Sequence, residues 1–144
     1  MPKKGRRTKK RTARASGSYQ VFVSHATADK WLATTICEKI ESVGAKAFRD
    51  DRDIAGGDAI PEQIRTQIQV SREMVVLLTP ESFDRPWVLL EVGAAWGRRR
   101  KYRIVPVLCH VAVDAIPDII EEKKAFHLNE FDQYLKELEK RVNA

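Results

Sequence analysis

From residue 19 onward, short apolar runs alternate with stretches in which hydrophobic residues recur at every third or fourth position. The short runs predict β-strands, and the spaced stretches predict amphipathic α-helices. Strands are predicted over residues 19–24, 45–49, 73–79, 103–108 and 125–128. Because strands and helices alternate, we expect right-handed βαβ crossovers and a parallel sheet with helices on both faces.

Four helices are predicted from the positions of their apolar residues. The first has Leu32, Ile36, Ile40 and Val43, the second has Ile60, Ile64 and Ile68, the third spans 86–96, and the fourth has Phe131, Leu135, Leu138 and Val142. Residues 25–28 are a predicted loop. Asp29 and Asp58 are placed to cap the first two helices, and Pro61 is expected in the first turn of the second. Gly44 is expected to end the first helix, because glycine readily adopts the left-handed conformation found there.

The predicted strands differ in character. Residues 73–79 are almost continuously apolar, which is typical of a central parallel strand that is covered on both faces. The strand predicted over residues 45–49 is shorter and more polar, so we expect it at an edge of the sheet. Open parallel sheets bind ligands at the carboxyl ends of their strands. We therefore expect a crevice framed by Ser24 and His25 after the first strand and by Thr79 and Pro80 after the third.

One predicted helix carries a single ionisable residue, Glu91. Helical spacing places it on one apolar face with Trp87, Leu90, Ala94 and Ala95. Burial of an unpaired carboxylate is costly, so such a group finds a partner or changes its protonation. Glu91 is therefore a candidate functional acid. A surface position, or an ion pair with an arginine of a neighbouring element, explains the same pattern.

The positive charge of the chain is concentrated at one end. The 144 residues include 26 Lys and Arg and 20 Asp and Glu, but residues 1–18 hold eight of the basic residues and none of the acidic ones. The remainder has 18 basic and 20 acidic residues, which does not suit a nucleic-acid-binding domain. We predict a disordered basic arm at 1–18 and one folded domain at 19–144. The arm is either a solvated tail or a weak, nonspecific contact to nucleic acid phosphates.

The two cysteines, Cys37 and Cys109, have neither the spacing of a metal site nor a disulfide pattern. We expect reduced thiols, no bound metal and a cytoplasmic protein. No apolar run approaches the ~20 residues that cross a membrane, so no membrane partner is expected. The basic N-terminus is not followed by the apolar stretch of a signal peptide.

Several short blocks, taken together, resemble the Toll/interleukin-receptor (TIR) domain family. The matching residues are 21–26 with Asp29, 48–50 with 57–60, Ser71, 78–80, 86–87 with Glu91, and 104–107. The blocks keep the order and spacing of the family over most of the chain, and the N-terminal arm lies outside them. The chain is most similar to the stand-alone microbial members of the family.

The resemblance implies a fold, a reaction and a site. The fold is a flavodoxin-like α/β sheet of five parallel strands with helices on both faces. The reaction is cleavage of the nicotinamide–ribose bond of NAD+, which is then the substrate and not a cofactor. Enzymatic members have a glutamate four residues after a tryptophan, and Trp87 and Glu91 match that pattern. Glu91 is the implied catalytic residue, and the implied substrate contacts are His25, Ala26, Thr27, Asp50, Ala55 and Trp87.

The resemblance also leaves a second function open, since some members are adaptors that assemble with other TIR domains and cleave nothing. In either case we expect self-association through loops and a separately encoded sensor or effector, in microbial antiviral immune signalling. The apolar surroundings of Glu91 favour the enzyme. A linear product, a cyclic product and transfer of the ADP-ribosyl group to another acceptor all remain open at this point.

Overall fold

The computed structural model of the protein describes residues 19–49, 61–80, 102–111 and 125–144. The strands in these ranges are β1 (Gln20–Ser24), β2 (Lys46–Phe48), β3 (Glu73–Leu78), β4 (Arg103–Leu108) and β5 (Phe126–His127). The helices in these ranges are α1 (Lys30–Ser42), α2 (Glu62–Val70) and α3 (Phe131–Val142). The predicted arm at 1–18, the predicted cap Asp58 and the predicted helix at 86–96 lie outside the described residues.

The five described strands pair in parallel in the order β2-β1-β3-β4-β5. The predicted flavodoxin-like α/β fold is therefore confirmed. The short, polar strand β2 lies at an edge, as predicted, and β3 lies at the centre. The chain runs from β1 out to this edge and then returns to place β3 on the other side of β1. The reversal between β1 and β3 is the switch point at which doubly wound sheets bind ligands.

The sheet separates two hydrophobic cores, because successive residues of a strand point to opposite faces. On β3, Val75 and Leu77 pack on the side of α1 and α3, whereas Met74 and Val76 pack on the side of α2. None of these four side chains is more than 1% exposed. Burial on both faces explains why residues 73–79 are almost continuously apolar.

Helix α1 has nearly the ends that the sequence predicts. Asp29 occupies the N-cap position, but its side chain makes no capping hydrogen bond. A short 3₁₀ turn at Thr27–Asp29 replaces part of the loop predicted over 25–28. The helix ends at Ser42, and Gly44 follows with φ of 100°, a conformation that residues with side chains rarely adopt.

Two other boundaries differ from the predicted ones. Helix α2 begins at Glu62, so Pro61 precedes the helix instead of lying in its first turn. Strand β5 has only 2 residues, and a 3₁₀ turn at Leu128–Glu130 takes the place of the end of the strand predicted over 125–128. None of the helices in the described ranges is long and apolar enough to cross a membrane.

A buried carboxylate, Glu73, lies at the amino end of β3. Its side chain is 0% exposed and accepts hydrogen bonds from the hydroxyl groups of Tyr19, at 3.1 Å, and of Tyr134. Arg141 donates to both carboxylate oxygens, from Nε at 2.9 Å and from Nη2 at 3.0 Å. Arg103 Nε adds a longer ion pair at 3.7 Å. This Glu73 cluster joins the start of the domain, the central strand and helix α3.

Burial and the contacts in the Glu73 cluster shift the pKa values of Tyr19, Tyr134 and Arg141. Burial, and then the negative charge of Glu73, raise the pKa of Tyr134 well above its ordinary value and also raise the pKa of Tyr19. Burial lowers the pKa of Arg141, but its hydrogen bonds to Glu73, the negative charge of Glu73 and its interaction with Tyr19 together outweigh this effect and raise the pKa. Both tyrosines therefore remain neutral donors, and Arg141 remains charged opposite the carboxylate.

Candidate functional site

The carboxyl ends of three neighbouring strands meet at one edge of the sheet. We call it the carboxyl edge and define it by Ser24, Thr79 and Cys109, which end or directly follow β1, β3 and β4. The Cys109 amide donates to the Leu78 carbonyl at 2.8 Å, so the pairing of β3 with β4 continues to this edge. Because β1 and β3 flank the switch point, the carboxyl edge is the position at which open sheets of this kind bind ligands.

The loop that directly follows β1 contains three of the predicted substrate contacts. His25 Nδ1 donates to the Ala26 carbonyl at 2.7 Å, and the Asp29 amide donates to the same oxygen at 2.9 Å. His25 and Ala26 are 8% and 3% exposed, whereas Thr27 is exposed. Because Nδ1 is the donor, the neutral imidazole of His25 has its acceptor at Nε2. The loop thus orients the imidazole ring and leaves the threonine exposed.

A hydrogen bond between residues 50 positions apart connects this loop to the central strand. Thr79 Oγ1 donates to Asp29 Oδ2 at 2.6 Å. Thr79 is 4% exposed, and Asp29 is partly buried. The sequence position of Asp29 predicts that its carboxylate caps α1. In the structure the carboxylate instead contacts the end of β3.

Ser24 adds a buried hydroxyl at the end of β1. Its side chain is 2% exposed, and among the described residues its Oγ has no hydrogen-bond partner. Ser24 lies two residues after Phe22, which packs in the core on the side of α2, so both side chains point to that face. A buried hydroxyl without a partner costs about 1–3 kcal/mol. At a ligand-binding edge, such a group is one that a ligand can pair.

Cys109 is also buried at the carboxyl edge, with 2% exposure. Burial, and then the nearby negative charge of Asp29, raise the pKa of its thiol from 9.0 to about 11. The thiol is therefore protonated at neutral pH and is a poor nucleophile or metal ligand. Within the described ranges, Cys37 and Cys109 are free of disulfides, and no group of 3 or more His, Cys, Asp or Glu is arranged to hold a metal ion.

The free energy of unfolding is expected to fall as the pH rises from 9 to about 11. In this range the Cys109 thiol of the unfolded chain loses its proton while the folded chain keeps it, so the native state binds more protons and loses stability. One such group contributes a slope of at most about 1.4 kcal/mol per pH unit. Urea unfolding across this range should give a flatter slope for Cys109→Ala than for the unchanged protein, and equal slopes would contradict the shift.

Part of the predicted site can be located in the structure. His25, Ala26 and Thr27 lie at the carboxyl edge, and their contact with a substrate stays a prediction. The remaining predicted site residues, Asp50, Ala55, Trp87 and Glu91, lie outside the described residues, and their roles also stay predictions.

The sequence did not reveal two features of the carboxyl edge. These are the hydrogen bond between Asp29 and Thr79 and the lack of a described partner for the buried Ser24 hydroxyl. The available signal was the position of polar residues immediately after apolar strands. That signal identifies the residues at the edge, but it does not identify the bonds between them.

Comparison with protein families gives a match to one family model. The model is described as TIR domain, and it matches residues 21–140. Among solved structures, the TIR domain of the Toll-related receptor TRR-2 from Hydra magnipapillata has a TM-score of 0.65 at 21% sequence identity. The alignment covers 88% of this chain and 99% of that chain. At this identity, the likeness shows a common fold.

Curated relatives match over parts of their length. The NAD(+) hydrolase TcpA of Theionarchaea archaeon (strain DG-70-1) is 31% identical over 74 residues, which are 51% of this chain and 22% of that protein. The probable 2' cyclic ADP-D-ribose synthase TcpB of Brucella abortus (strain 2308) is 26% identical over 114 residues, which are 77% of this chain and 46% of that protein. The chain thus spans less than half the length of either relative.

Proposed function

The chain belongs to the TIR domain family, and on this premise we propose that it cleaves the nicotinamide–ribose bond of NAD+. The products are nicotinamide and either ADP-ribose or a cyclic ADP-ribose-type molecule. The observation that carries the proposal is the family match over residues 21–140. Two partial relatives, named as an NAD(+) hydrolase and a probable 2' cyclic ADP-D-ribose synthase, support it.

The proposed reaction requires stabilisation of one developing positive charge. The bond between ribose C1′ and the nicotinamide nitrogen breaks, and its electron pair leaves with nicotinamide, which becomes neutral. Positive charge then develops on C1′ and the ring oxygen, where a carboxylate stabilises it. We assign this role to Glu91. Attack of water at C1′, with loss of a proton, gives ADP-ribose, whereas attack by a nucleophilic group of the substrate gives a cyclic product.

The proposed substrate contacts come from two parts of the chain. After β1, the buried Ser24 hydroxyl and the exposed Thr27 are available for hydrogen bonds at the carboxyl edge. Farther along the sequence, Trp87 precedes Glu91 by four residues, and its indole can pack against the nicotinamide or adenine ring. The further proposed contacts are His25, Ala26, Asp50 and Ala55.

A non-catalytic adaptor is the second candidate function, and one described residue favours an interaction surface. Trp31, near the start of α1, is 79% exposed. Tryptophan is enriched in protein interfaces because its large ring supplies much contact area. An adaptor would use such a surface without consuming NAD+. An enzyme that self-associates would use the surface and consume NAD+, so consumption of NAD+ by the folded protein distinguishes the two.

We place the proposed reaction in the cytoplasm, in microbial antiviral signalling, with a separately encoded sensor or effector. Either product of the reaction is a small polar molecule that suits a diffusible signal. The role of the basic arm at residues 1–18 in contacting nucleic acid stays a prediction from its charge.

Turnover per protein molecule is expected to rise steeply with protein concentration. The family resemblance implies that neighbouring TIR domains complete each other's sites. In addition, residues 50–57 have the glycine-bearing sequence of a loop that a subunit contact would order. Release of nicotinamide should be measured across a roughly hundredfold dilution, which lowers the population of a weak assembly by mass action. A constant turnover number would show a self-sufficient monomer and would contradict the expectation.

The products should be separated by chromatography after incubation of the purified full chain with NAD+. Nicotinamide with ADP-ribose supports the hydrolase, and nicotinamide with a cyclic isomer supports the synthase. Unchanged NAD+ at the highest concentration, with protein that circular dichroism shows to be folded, would support the adaptor and overturn the enzymatic proposal.

A further inference from the structure

Asp29 makes a distant hydrogen bond where a local one is usual. An aspartate at a helix N-cap normally accepts a hydrogen bond from an amide in the first turn, and Asp29 makes none. Its Oδ2 instead accepts from Thr79 Oγ1 at 2.6 Å, which is within the range of charge-assisted hydrogen bonds. Because Thr79 is buried and directly follows the central strand β3, the sheet determines its position.

The same hydrogen bond also restrains the loop after β1, because Asp29 belongs to the 3₁₀ turn of that loop. The Asp29 amide donates to the Ala26 carbonyl, and His25 Nδ1 donates to the same oxygen. Holding the Asp29 carboxylate on β3 therefore also holds its amide, the Ala26 carbonyl and the imidazole that this carbonyl orients. The result is a chain of contacts from the central strand to the three loop residues His25, Ala26 and Thr27.

Ser24 adds a buried hydroxyl directly before this loop. It immediately precedes His25, is 2% exposed and has no hydrogen-bond partner for Oγ among the described residues. Thr79 and Ser24 lie at the ends of the two strands that flank the switch point. The tethered loop and the buried hydroxyl thus lie at the same edge of the sheet.

We propose that the hydrogen bond between Asp29 and Thr79 holds residues 25–27 in the conformation that binds the substrate. Asp29 and Thr79 are then positioning residues, which act through the loop. The identity of the ligand rests on the proposed function, with NAD+ as substrate. The effect on the loop is a property of the protein alone and can be measured without a ligand.

The first test compares variants of Thr79 in the full chain. Thr79→Val removes the hydroxyl with little change of shape, and Thr79→Ser keeps the hydroxyl. Thr34→Val is the matched control, because the Thr34 hydroxyl bonds to the Lys30 carbonyl within α1. Amide hydrogen exchange of residue 29, without substrate, is expected to be roughly tenfold or more faster in Thr79→Val, the factor that follows from losing a hydrogen bond to a charged group.

Exchange in Thr79→Ser and Thr34→Val should remain as in the unchanged protein. Unchanged exchange in Thr79→Val would overturn the proposal. If Thr79→Val does not fold, Asp29→Ala removes the same hydrogen bond by deleting its acceptor, which is only partly buried. Unchanged amide exchange at residue 29 in that variant would likewise overturn the proposal.

The second test measures kinetics with NAD+. In Thr79→Val, the loop is expected to occupy its binding conformation in only a minority of molecules. KM then rises by the inverse of that fraction, about threefold or more. The kcat per folded molecule should change less. Thr79→Ser should restore KM. A KM in Thr79→Val equal to that of the unchanged protein would overturn the positioning role, whatever the change in melting temperature.

The two readouts also separate this inference from the proposed function. Absence of NAD+ cleavage by the unchanged protein would overturn the proposed function. The exchange experiment would then still decide whether the bond between Asp29 and Thr79 holds the loop.

Discussion

Replacing Glu73 by alanine is expected to lower the free energy of unfolding by about 3–5 kcal/mol, the usual cost of removing one partner from a buried charged network. The substitution leaves Arg141 and the hydroxyl groups of Tyr19 and Tyr134 without their acceptor. The side chain of Arg141 is 21% exposed, so it regains some water and the loss lies toward the lower end of the range. Urea unfolding monitored by circular dichroism measures the change.

Glu137→Ala is the control for this measurement. Glu137 also pairs with Arg141, at 3.9 Å, but its side chain is 40% exposed. Such a pair on a helix surface is worth about 0.3–0.5 kcal/mol. A loss below about 1 kcal/mol for Glu73→Ala, the range of surface ion pairs, would show that the Glu73 cluster is not a major source of stability. Since Glu73 lies at the amino end of β3, turnover per folded molecule should stay unchanged.

Replacing Glu91 by alanine is expected to lower the rate of NAD+ cleavage by about 10²–10³, the effect of removing one charge-stabilising group from a transition state. The interaction is made mainly in the transition state, so the loss should be in kcat. Glu91→Gln keeps the shape and loses the charge, and it should be nearly as inactive. If Glu91 is buried without a partner, as its apolar sequence neighbours predict, stability should be retained or improved, because burial of an unpaired carboxylate has a cost that alanine does not have.

A purely structural role for Glu91 predicts a different pair of results. If the carboxylate is ion-paired, its removal destabilises the fold, and activity falls only as the folded fraction falls. Unfolding and NAD+ consumption should therefore be measured on the same samples. Glu139→Ala, at an exposed position of α3, serves as a control for removal of a carboxylate from a helix.

Local patterns in the sequence were sufficient to predict most of the described fold. The apolar run at 73–79 corresponds to the buried strand β3, and Ile36 and Ile40 lie on the buried face of α1. These matches arise because buried positions recur with the period of each element. Gly44 identified the end of α1 through its backbone freedom. The prediction was less accurate at 125–128, where only Phe126 and His127 pair with β4 and a 3₁₀ turn begins at Leu128.

Bonds between distant residues could not be predicted in the same way. Glu73 was one charged residue in an apolar strand, and its partners lie 54, 61 and 68 positions away. The position of Asp29 predicts a local cap, yet its carboxylate bonds to Thr79, 50 positions later. Which hydrogen bond a carboxylate makes depends on what the tertiary fold places beside it, and spacing along the chain does not contain that information.

The candidate site was predicted in two steps of different kinds. The alternation of strands and helices predicts the carboxyl edge, because switch points follow from topology. The catalytic role of Glu91 came from the resemblance to the TIR family, since its apolar surroundings also suit an ion pair. The first step needs only local patterns, whereas the second needs knowledge of the chemistry that related chains perform.

The most direct test of the central claim is release of nicotinamide from NAD+ by the purified chain at high protein concentration, compared with Glu91→Gln at the same folded fraction. We predict that the unchanged protein releases one nicotinamide for each NAD+ consumed and that Glu91→Gln releases it about 10²–10³ times more slowly. Equal rates for the two folded proteins would contradict the catalytic role of Glu91. No release by either protein would contradict NAD+ cleavage as the function of this chain.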